Sequence, residues 1–352
     1  MLVTPTAAGC GHCASRAGPD GLVRPTFDRH YVLAWCFGLM SSLHSEADSA
    51  PPSAGVRAES ERFLDRPDGA SLCIQAWGER GAPTILILDG IGCAGWAFRK
   101  ILPVLRDDFR ILLMHYRGHG RSPNPPRPWR LGLDVFADDA EATLRSEGAD
   151  KAVLLGFSMG FQVALEMYKR HRPRIAGMIS IAGPSGRAVA QFQGTDIIGH
   201  ALPFLRAATR HASDLTVRVW KALVPNPTLR RLGMGSQLNL DRIDVEDIDF
   251  YLSQISKMSP ELFLEVLQQA ARHSTEDVMP RVRVPSLIMA GGKDTFIPLS
   301  TMREVAFAIP GAQWVVIPEA SHALPAEYPE DVAEHIRRFA TATLSPRTSG
   351  SP

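Results

Sequence analysis

The most informative segment of this chain reads Gly156-Phe157-Ser158-Met159-Gly160. The apolar residues 152–155 precede it and predict a short buried strand, and residues 161–168 have the composition of a helix. A serine on a sharp turn between a strand and a helix adopts strained backbone angles and exposes its hydroxyl. The segment therefore predicts that Ser158 is a nucleophile, and the alternative is a plain glycine-rich turn.

The residues on either side of Ser158 have predicted roles of their own. Gly156 and Gly160 are expected to be glycines because a side chain there would collide with the neighbouring strand or helix. Met159 opens the predicted helix, and the backbone N–H groups at a helix N-terminus stabilise an anion. We therefore expect the N–H of Met159 to be one donor of an oxyanion hole.

An activated serine needs a general base, and the base needs a carboxylate that orients it. Residues 284–292 predict a buried strand with a glycine turn, and Asp294 follows that turn. Residues 314–317 predict another strand, and His322 lies on the loop after it. We expect Asp294 and His322 to meet Ser158 at the carboxyl ends of neighbouring parallel strands.

Each of these assignments has an alternative. Asp294 could cap the helix that begins near Pro298, and His322 could be an ordinary surface histidine. Glu319, three residues before His322, is a rival carboxylate, although we expect it to be solvated.

The chain resembles the α/β-hydrolase family over about residues 62–344. The order Ser158, Asp294, His322 is the order of the catalytic residues in that family. The resemblance implies an α/β fold with a mostly parallel twisted sheet flanked by helices, and a triad that requires neither a metal nor an organic cofactor. The segments that carry the resemblance are residues 156–160, residues 291–294 with Pro298, Ser321 with His322, and Tyr116-Arg117-Gly118-His119-Gly120-Arg121-Ser122.

The chain departs from the family at two strand ends. Where the family usually has His-Gly, this chain has Asp89-Gly90-Ile91, and the N–H of Ile91 is the expected second oxyanion donor beside Met159. His115 stands where the family usually has an aspartate. Our hypothesis is that Asp89 and His115 form a carboxylate–imidazolium pair beneath the oxyanion loop. The alternative is two independent polar residues.

Composition and periodicity divide the chain into a core, an insertion and two tails. Residues 58–184 and 276–345 alternate strand and helix patterns, which predicts βαβ units, and the resemblance implies that they form the α/β-hydrolase core. Residues 185–275 contain helical patterns without a convincing strand, and we name this predicted insertion the lid. Aromatic and methionine residues of the lid are candidates for lining the pocket, with ordinary packing as the alternative: Phe192, Phe204, Trp220, Met234, Phe250 and Tyr251.

Both ends of the chain are predicted to be disordered, over residues 1–57 and 346–352. The apolar residues 31–40 could form a secretory signal, or Met40 could be the true start. We expect a cytoplasmic protein, with secretion as the alternative. Cys10 and Cys13 have the spacing of a redox motif, but no strand precedes them and no helix follows.

Length and charge exclude several classes of protein. The 352 residues are 45% hydrophobic, which suits a globular enzyme with a large core. The formal charge of +1, with both signs interspersed, argues against a nucleic-acid-binding surface. No apolar run is long enough to span a membrane, and an odd count of five cysteines is not a disulfide framework. Arginines at positions 117, 121, 127 and 130 cluster near one loop, where we expect a solvated rim, with a phosphate site as the alternative.

The leading functional hypothesis is hydrolysis of a carboxylic ester of a small or medium apolar substrate through an acyl-enzyme. A first alternative is a related serine-dependent reaction: thioester, lactone or carbon–carbon bond hydrolysis, or cofactor-free peroxidation. A second is a non-catalytic receptor that uses the hydrolase pocket to bind a ligand. The expected partner is a small-molecule substrate, and the expected state is a monomer or homodimer.

Overall fold

Eight strands form one sheet in the computed structural model, which describes residues 57–186, 209, 213–224, 226 and 238–345. The predicted disordered tails lie outside these residues, apart from Arg57. The strands are β1 (Ser60–Asp65), β2 (Ser71–Trp77), β3 (Thr84–Leu88), β4 (Arg110–Met114), β5 (Ala152–Phe157), β6 (Ile175–Ile181), β7 (Ser286–Gly291) and β8 (Gln313–Ile317).

The sheet has the strand order β1-β2-β4-β3-β5-β6-β7-β8. β1 and β2 form an antiparallel hairpin, β2 is antiparallel to β4, and all the remaining pairs are parallel. This confirms the predicted mostly parallel sheet. Because β3, β5, β7 and β8 run in the same direction, the loops that follow them emerge at one edge of the sheet.

Helices connect the strands, as the alternating sequence pattern predicted. A short 3-10 turn at Trp96–Phe98 and the one-turn helix α1 (Leu102–Leu105) lie between β3 and β4. The helices are α1 (Leu102–Leu105), α2 (Leu133–Ser146), α3 (Met159–His171), α4 (Ser213–Leu223), α5 (Val245–Lys257), α6 (Pro260–Arg272), α7 (Leu299–Ala308), α8 (Leu324–Glu327) and α9 (Pro329–Leu344).

The central strands are buried on both faces, which explains their continuous apolar sequences. In β3, Leu86 and Leu88 belong to one hydrophobic cluster, which also contains side chains of α2 and α3. The alternate residues Ile85 and Ile87 belong to a second cluster, which includes side chains of α9. Helices therefore cover both faces and hold the sheet's carboxyl edge in a fixed position.

The insertion between β6 and β7 contributes α4, α5 and α6 among its described residues. Apolar residues of α6, such as Leu262 and Val266, are buried in the first cluster, and Ile248 and Leu252 of α5 in the second. The insertion thus packs on the core through helices, and its function as a lid stays a prediction. The pocket candidates Phe192, Phe204 and Met234 lie outside the described residues.

The predicted arginine rim is wrong at one of its four positions. Arg117 is buried, and its Nε donates to Oδ2 of Asp139 at 2.7 Å while its Nη1 donates to Oδ2 of Asp68 at 2.6 Å. A buried guanidinium requires such partners because its charge is costly to desolvate. The side chains of the other three are largely exposed: Arg121, Arg127 and Arg130. In the described part of the chain, no helix is both long and apolar enough to cross a bilayer.

Candidate active site

The turn between β5 and α3 places Ser158 in strained geometry. Its backbone angles are φ 52° and ψ −123°, a left-handed conformation that non-glycine residues rarely adopt. A Cβ at Gly156 would lie 2.6 Å from the backbone nitrogen of Phe161, and one at Gly160 would overlap the carbonyl oxygen of Leu88. Both glycines are therefore required sterically, as the sequence predicted.

His322 lies between Ser158 and Asp294. Its Nε2 is 3.1 Å from Oγ of Ser158, and its Nδ1 is 2.9 Å from Oδ2 of Asp294. Ser158 is 9% exposed and the side chain of Asp294 1% exposed, so the contacts are shielded from water. The structure thus brings together three residues from the loops after β5, β7 and β8, within the hydrogen-bonding reach that a nucleophile–base pair requires.

The second carboxylate oxygen of Asp294 holds its own loop. Oδ1 accepts hydrogen bonds from the backbone N–H groups of Phe296 and Ile297, both at 2.8 Å. The alternative prediction, that Asp294 caps the helix that begins near Pro298, therefore accounts for the contacts of Oδ1 but not for the contact of Oδ2 with His322. Orienting His322 and fixing the turn before α7 are compatible because each uses a different oxygen.

The predicted oxyanion loop lies against Ser158. Met159 is the first residue of α3, and Ile91 and Gly90 line the same cavity as Ser158. A Cβ at Gly90 would lie 3.3 Å from Cβ of Ser158, so only glycine fits without displacing a neighbour. The backbone N–H groups of Ile91 and Met159 are the predicted donors, and both belong to segments that contact Ser158.

Asp89 supports this loop from within. Its Oδ1 accepts from the N–H of Gly90 at 2.8 Å, and its Oδ2 accepts from the N–H of Gly95 at 2.7 Å. Burial raises the pKa of the Asp89 carboxyl to about 6, although these two hydrogen bonds act in the opposite direction.

The predicted Asp89–His115 pair is not formed. Nδ1 of His115 accepts from the N–H of Arg121 at 2.9 Å, and its Nε2 has no hydrogen-bond partner among the described residues. Burial, followed by the charges of His119 and Arg121, lowers the pKa of His115 to about 4, so the neutral imidazole is favoured rather than the expected imidazolium. The two residues are independent polar groups at strand ends.

A cavity of about 100 Å³ opens beside Ser158. Its walls are mostly apolar and aromatic, which suits an apolar acyl or alcohol group. Of the described pocket candidates, Tyr251 lines this cavity, whereas Trp220 donates its Nε1 to the carbonyl of Ile255 and Phe250 lies under the guanidinium of Arg99. The lining residues are Gly90, Ile91, Cys93, Trp96, Phe157, Ser158, Leu238, Tyr251, Phe296, His322 and Ala323.

Sequence reasoning did not single out several of these wall residues. The buried Sγ of Cys93 accepts a hydrogen bond from Nε1 of Trp96 at 3.3 Å. Burial raises the pKa of the Cys93 thiol well above its usual value, so the thiol stays protonated. Trp96 and Phe296 follow Asp89 and Asp294 closely in sequence. That proximity was the one feature of the sequence that could have indicated their place in the cavity wall.

Two further carboxylates lie near the histidine loop. The rival candidate Glu319 is exposed and pairs with Lys293, as its predicted solvation implied. Glu327 was not considered; it is buried and bonds to Ser321 beside His322. Within the described ranges, no group of three or more His, Cys, Asp and Glu side chains is arranged to hold a metal ion.

The family model of the α/β-hydrolase fold matches residues 83–327, which include every residue of this site. The chain belongs to the α/β-hydrolase family. This confirms the resemblance and the fold class predicted from the motifs, and it identifies the chain as an α/β-hydrolase enzyme.

Other proteins of the fold share modest sequence identity with this α/β-hydrolase. A pimeloyl-(acyl-carrier protein) methyl ester esterase of Vibrio vulnificus is 24% identical over 269 residues, which cover 75% of this chain and 97% of the relative. An esterase from Thermogutta terrifontis superposes with a TM-score of 0.64 and 23% identity, covering 81% of this chain and all of that one. An enol-lactonase from Burkholderia xenovorans LB400 superposes with a TM-score of 0.66 and 20% identity, covering 80% of this chain and 100% of that one. These structural likenesses show the fold.

Proposed function

We propose that this α/β-hydrolase cleaves a carboxylic ester of a small or medium apolar substrate through an acyl-enzyme. The observation that supports the proposal best is the position of His322, whose two ring nitrogens lie 3.1 Å from Oγ of Ser158 and 2.9 Å from Oδ2 of Asp294. This is the arrangement in which a histidine activates a serine for acyl transfer.

In the proposed reaction, Oγ of Ser158 attacks the ester carbonyl carbon while Nε2 of His322 accepts the hydroxyl proton. Asp294 accepts a hydrogen bond from Nδ1–H and stabilises the imidazolium that forms. The N–H groups of Ile91 and Met159 donate to the oxyanion, and each such donor is typically worth about 3 kcal/mol in the transition state. His322 then protonates the leaving alcohol and activates the water that releases the acid.

The walls of the cavity support the choice of substrate class. Trp96, Phe157, Tyr251 and Phe296 offer aromatic surface, and the described lining residues include no Lys, Arg, Asp or Glu side chain. An anionic or cationic substituent would be desolvated there without a partner, which costs several kcal/mol. An uncharged apolar acyl or alcohol group is the better fit.

The experiment that tests the proposal begins with a fluorophosphonate probe. We expect the wild type and Ser300→Ala to be labelled, and Ser158→Ala to resist labelling, because Ser300 is an exposed serine of α7. Labelling that survives Ser158→Ala would place the nucleophile elsewhere.

An activity panel then separates the reaction classes. We expect p-nitrophenyl acetate or butyrate to be turned over faster than the octanoate or laurate, and faster than thioester, lactone and peroxide-dependent substrates. A protein that binds these compounds without turnover would instead be a receptor. Preferential lactone or peroxide turnover would leave the acyl-enzyme in place but replace the ester.

A further inference from the structure

Glu327, the last residue of α8, is a buried carboxylate that accepts three hydrogen bonds. Its Oε2 accepts from the N–H of Ser321 at 2.7 Å, and its Oε1 accepts from the hydroxyl of Ser321 and from the N–H of Asn239 at 2.9 Å. Among the residues that the structure describes, no cation lies within ion-pair distance of it. Burying a carboxylate is costly, so its hydrogen-bond donors matter for keeping it in place.

The first two donors belong to the loop that carries the base. Ser321 directly precedes His322, and the N–H of Ala323 donates to Oγ of Ser321 at 3.4 Å. The backbone on both sides of His322 is therefore tied, directly or through one hydroxyl, to the Glu327 carboxylate. These bonds fix the backbone of the loop, while Asp294, Phe157 and Phe296 contact the His322 ring itself.

The third donor belongs to the substrate cavity. Asn239 follows Leu238, which lines the cavity on the side of the insertion, and Ala323 lines the same cavity next to His322. One oxygen, Oε1, thus bonds both to the histidine loop and to the segment that supplies the Leu238 wall.

We propose that Glu327 is a positioning residue that fixes the His322 ring against Ser158 and couples that alignment to the Leu238 wall of the cavity. This inference rests on the proposed function for its kinetic part, since it assumes that His322 is the general base. The geometry assigns Glu327 no contact with the reacting atoms, so its influence is exerted through backbone placement.

The substitution Glu327→Gln preserves shape but replaces one acceptor oxygen by an NH2 donor, so at least one of the three donors loses its partner. We expect kcat to fall by about 10- to 100-fold, because a small displacement of a catalytic group has effects of this size. Ser321→Ala removes only the hydroxyl and should lower kcat by less, with KM unchanged.

The link between Glu327 and the Leu238 wall of the cavity is tested separately. Asn239→Pro removes the backbone N–H, whereas Asn239→Ala keeps it, so the difference between these variants combines the loss of this hydrogen bond with the restriction that proline places on the backbone of residues 238 and 239. We expect the proline variant to raise KM relative to the alanine variant, with a smaller effect on kcat. The exposed Glu330→Gln serves as the surface control and should match the wild type.

Two readouts do not depend on the choice of substrate. The first is the second-order rate of fluorophosphonate labelling of Ser158, which should fall in parallel with kcat. The second is the NMR signal of the His322 Nδ1 proton that faces Asp294, assigned by its loss in His322→Ala. We expect it to be sharp in the wild type and broadened in Glu327→Gln, at a temperature where thermal unfolding shows both proteins to be folded.

The outcomes separate the two proposals. A folded Glu327→Gln protein with wild-type labelling rate and a sharp Nδ1 signal would overturn the positioning role. If Glu327→Gln does not fold, Ser321→Ala decides by the same two readouts. If the wild type hydrolyses no ester, the proposed function fails, while the proton signal still reports whether Glu327 orders His322.

Discussion

The indole of Trp96 and the phenol ring of Tyr251 stack with their centroids 5.0 Å apart and their planes at 28°. Trp96 belongs to the core segment after the Asp89 loop, and Tyr251 lies in α5 of the insertion. The stack therefore closes one side of the cavity with one ring from each part. An ion pair between Arg99 and the buried Asp247 also ties α5 to the core.

The stack predicts the size of the acyl group that the cavity accepts. In Tyr251→Ala the missing ring would extend the cavity, so we expect longer p-nitrophenyl esters to gain relative to the acetate. Burial of each additional CH2 group is worth about 0.8 kcal/mol, or about fourfold in kcat/KM. Tyr251→Phe keeps the ring and should retain the wild-type preference. An unchanged chain-length profile in the alanine variant would show that the substrate lies elsewhere.

The two carboxylate oxygens of Asp294 have different partners, so a substitution can test selectively whether Asp294 orients the proposed base, His322. In Asp294→Asn the amide oxygen can still accept from Phe296 and Ile297, so the loop should fold as before. The amide NH2 would face Nδ1 of His322 and favour the wrong tautomer, and we expect kcat to fall about 10⁴-fold. Steady-state kinetics with thermal unfolding check this. Activity within tenfold of the wild type would contradict the orienting role of Asp294.

The glycines of the nucleophile turn predict a sharp effect on folding. In Gly160→Ala the new methyl group would overlap the carbonyl oxygen of Leu88, and backbone atoms cannot move away cheaply. We expect a loss of folding free energy of about 3 kcal/mol or more, or no folded protein. Gly148→Ala is the control, because nothing lies within 4 Å of its Cβ. With φ at 72°, it should cost only about 1–2 kcal/mol.

The lowered pKa of His115 predicts part of the loss of folding stability at low pH. Burial lowers its pKa from 6.5 to about 4, so the unfolded chain binds one more proton than the folded one between these values. The stability that this neutral histidine contributes is present above pH 6.5 and is lost as the pH falls through about 4.

The His115→Asn variant isolates this contribution. The amide oxygen can replace Nδ1 as the acceptor for the N–H of Arg121. We expect the unfolding free energy of His115→Asn to vary less steeply with pH than that of the wild type, by about 1.4 kcal/mol per pH unit between the two pKa values of His115. Urea titrations at a series of pH values measure the difference. Parallel curves for the variant and the wild type would mean that His115 titrates normally in the fold.

The sequence predicted those features that depend on local chemistry. The strand, turn and helix around Ser158 are encoded within a few residues, and β5 and α3 follow the predicted pattern closely. Asp294 and His322 could be placed because each follows a recognisable strand, and strand ends of a parallel sheet share one edge. The contact of His322 with Ser158, and that of Asp294 with His322, then follow from topology more than from long-range packing.

The features that sequence reasoning missed depend on side-chain direction and on distant partners. The Asp89–His115 pair was inferred from adjacent strand ends, but the N–H groups of Gly90 and Gly95 satisfy the carboxylate within its own loop. The stacking of Trp96 on Tyr251 joins segments far apart in the chain. Neither periodicity nor spacing encodes which ring of an inserted helix meets which ring of the core.

The backbone conformation of Ser158 affects the stability of the protein and its proposed activity in opposite directions. Its angles are of the kind that glycine adopts at least cost, and holding another residue there typically costs about 1–3 kcal/mol. Selection for heat resistance alone would therefore favour replacing Ser158 by glycine, and would remove the hydroxyl that the proposed reaction needs. In a directed-evolution experiment, thermal endurance and turnover must be selected together, because at this position an improvement in one is a loss of the other.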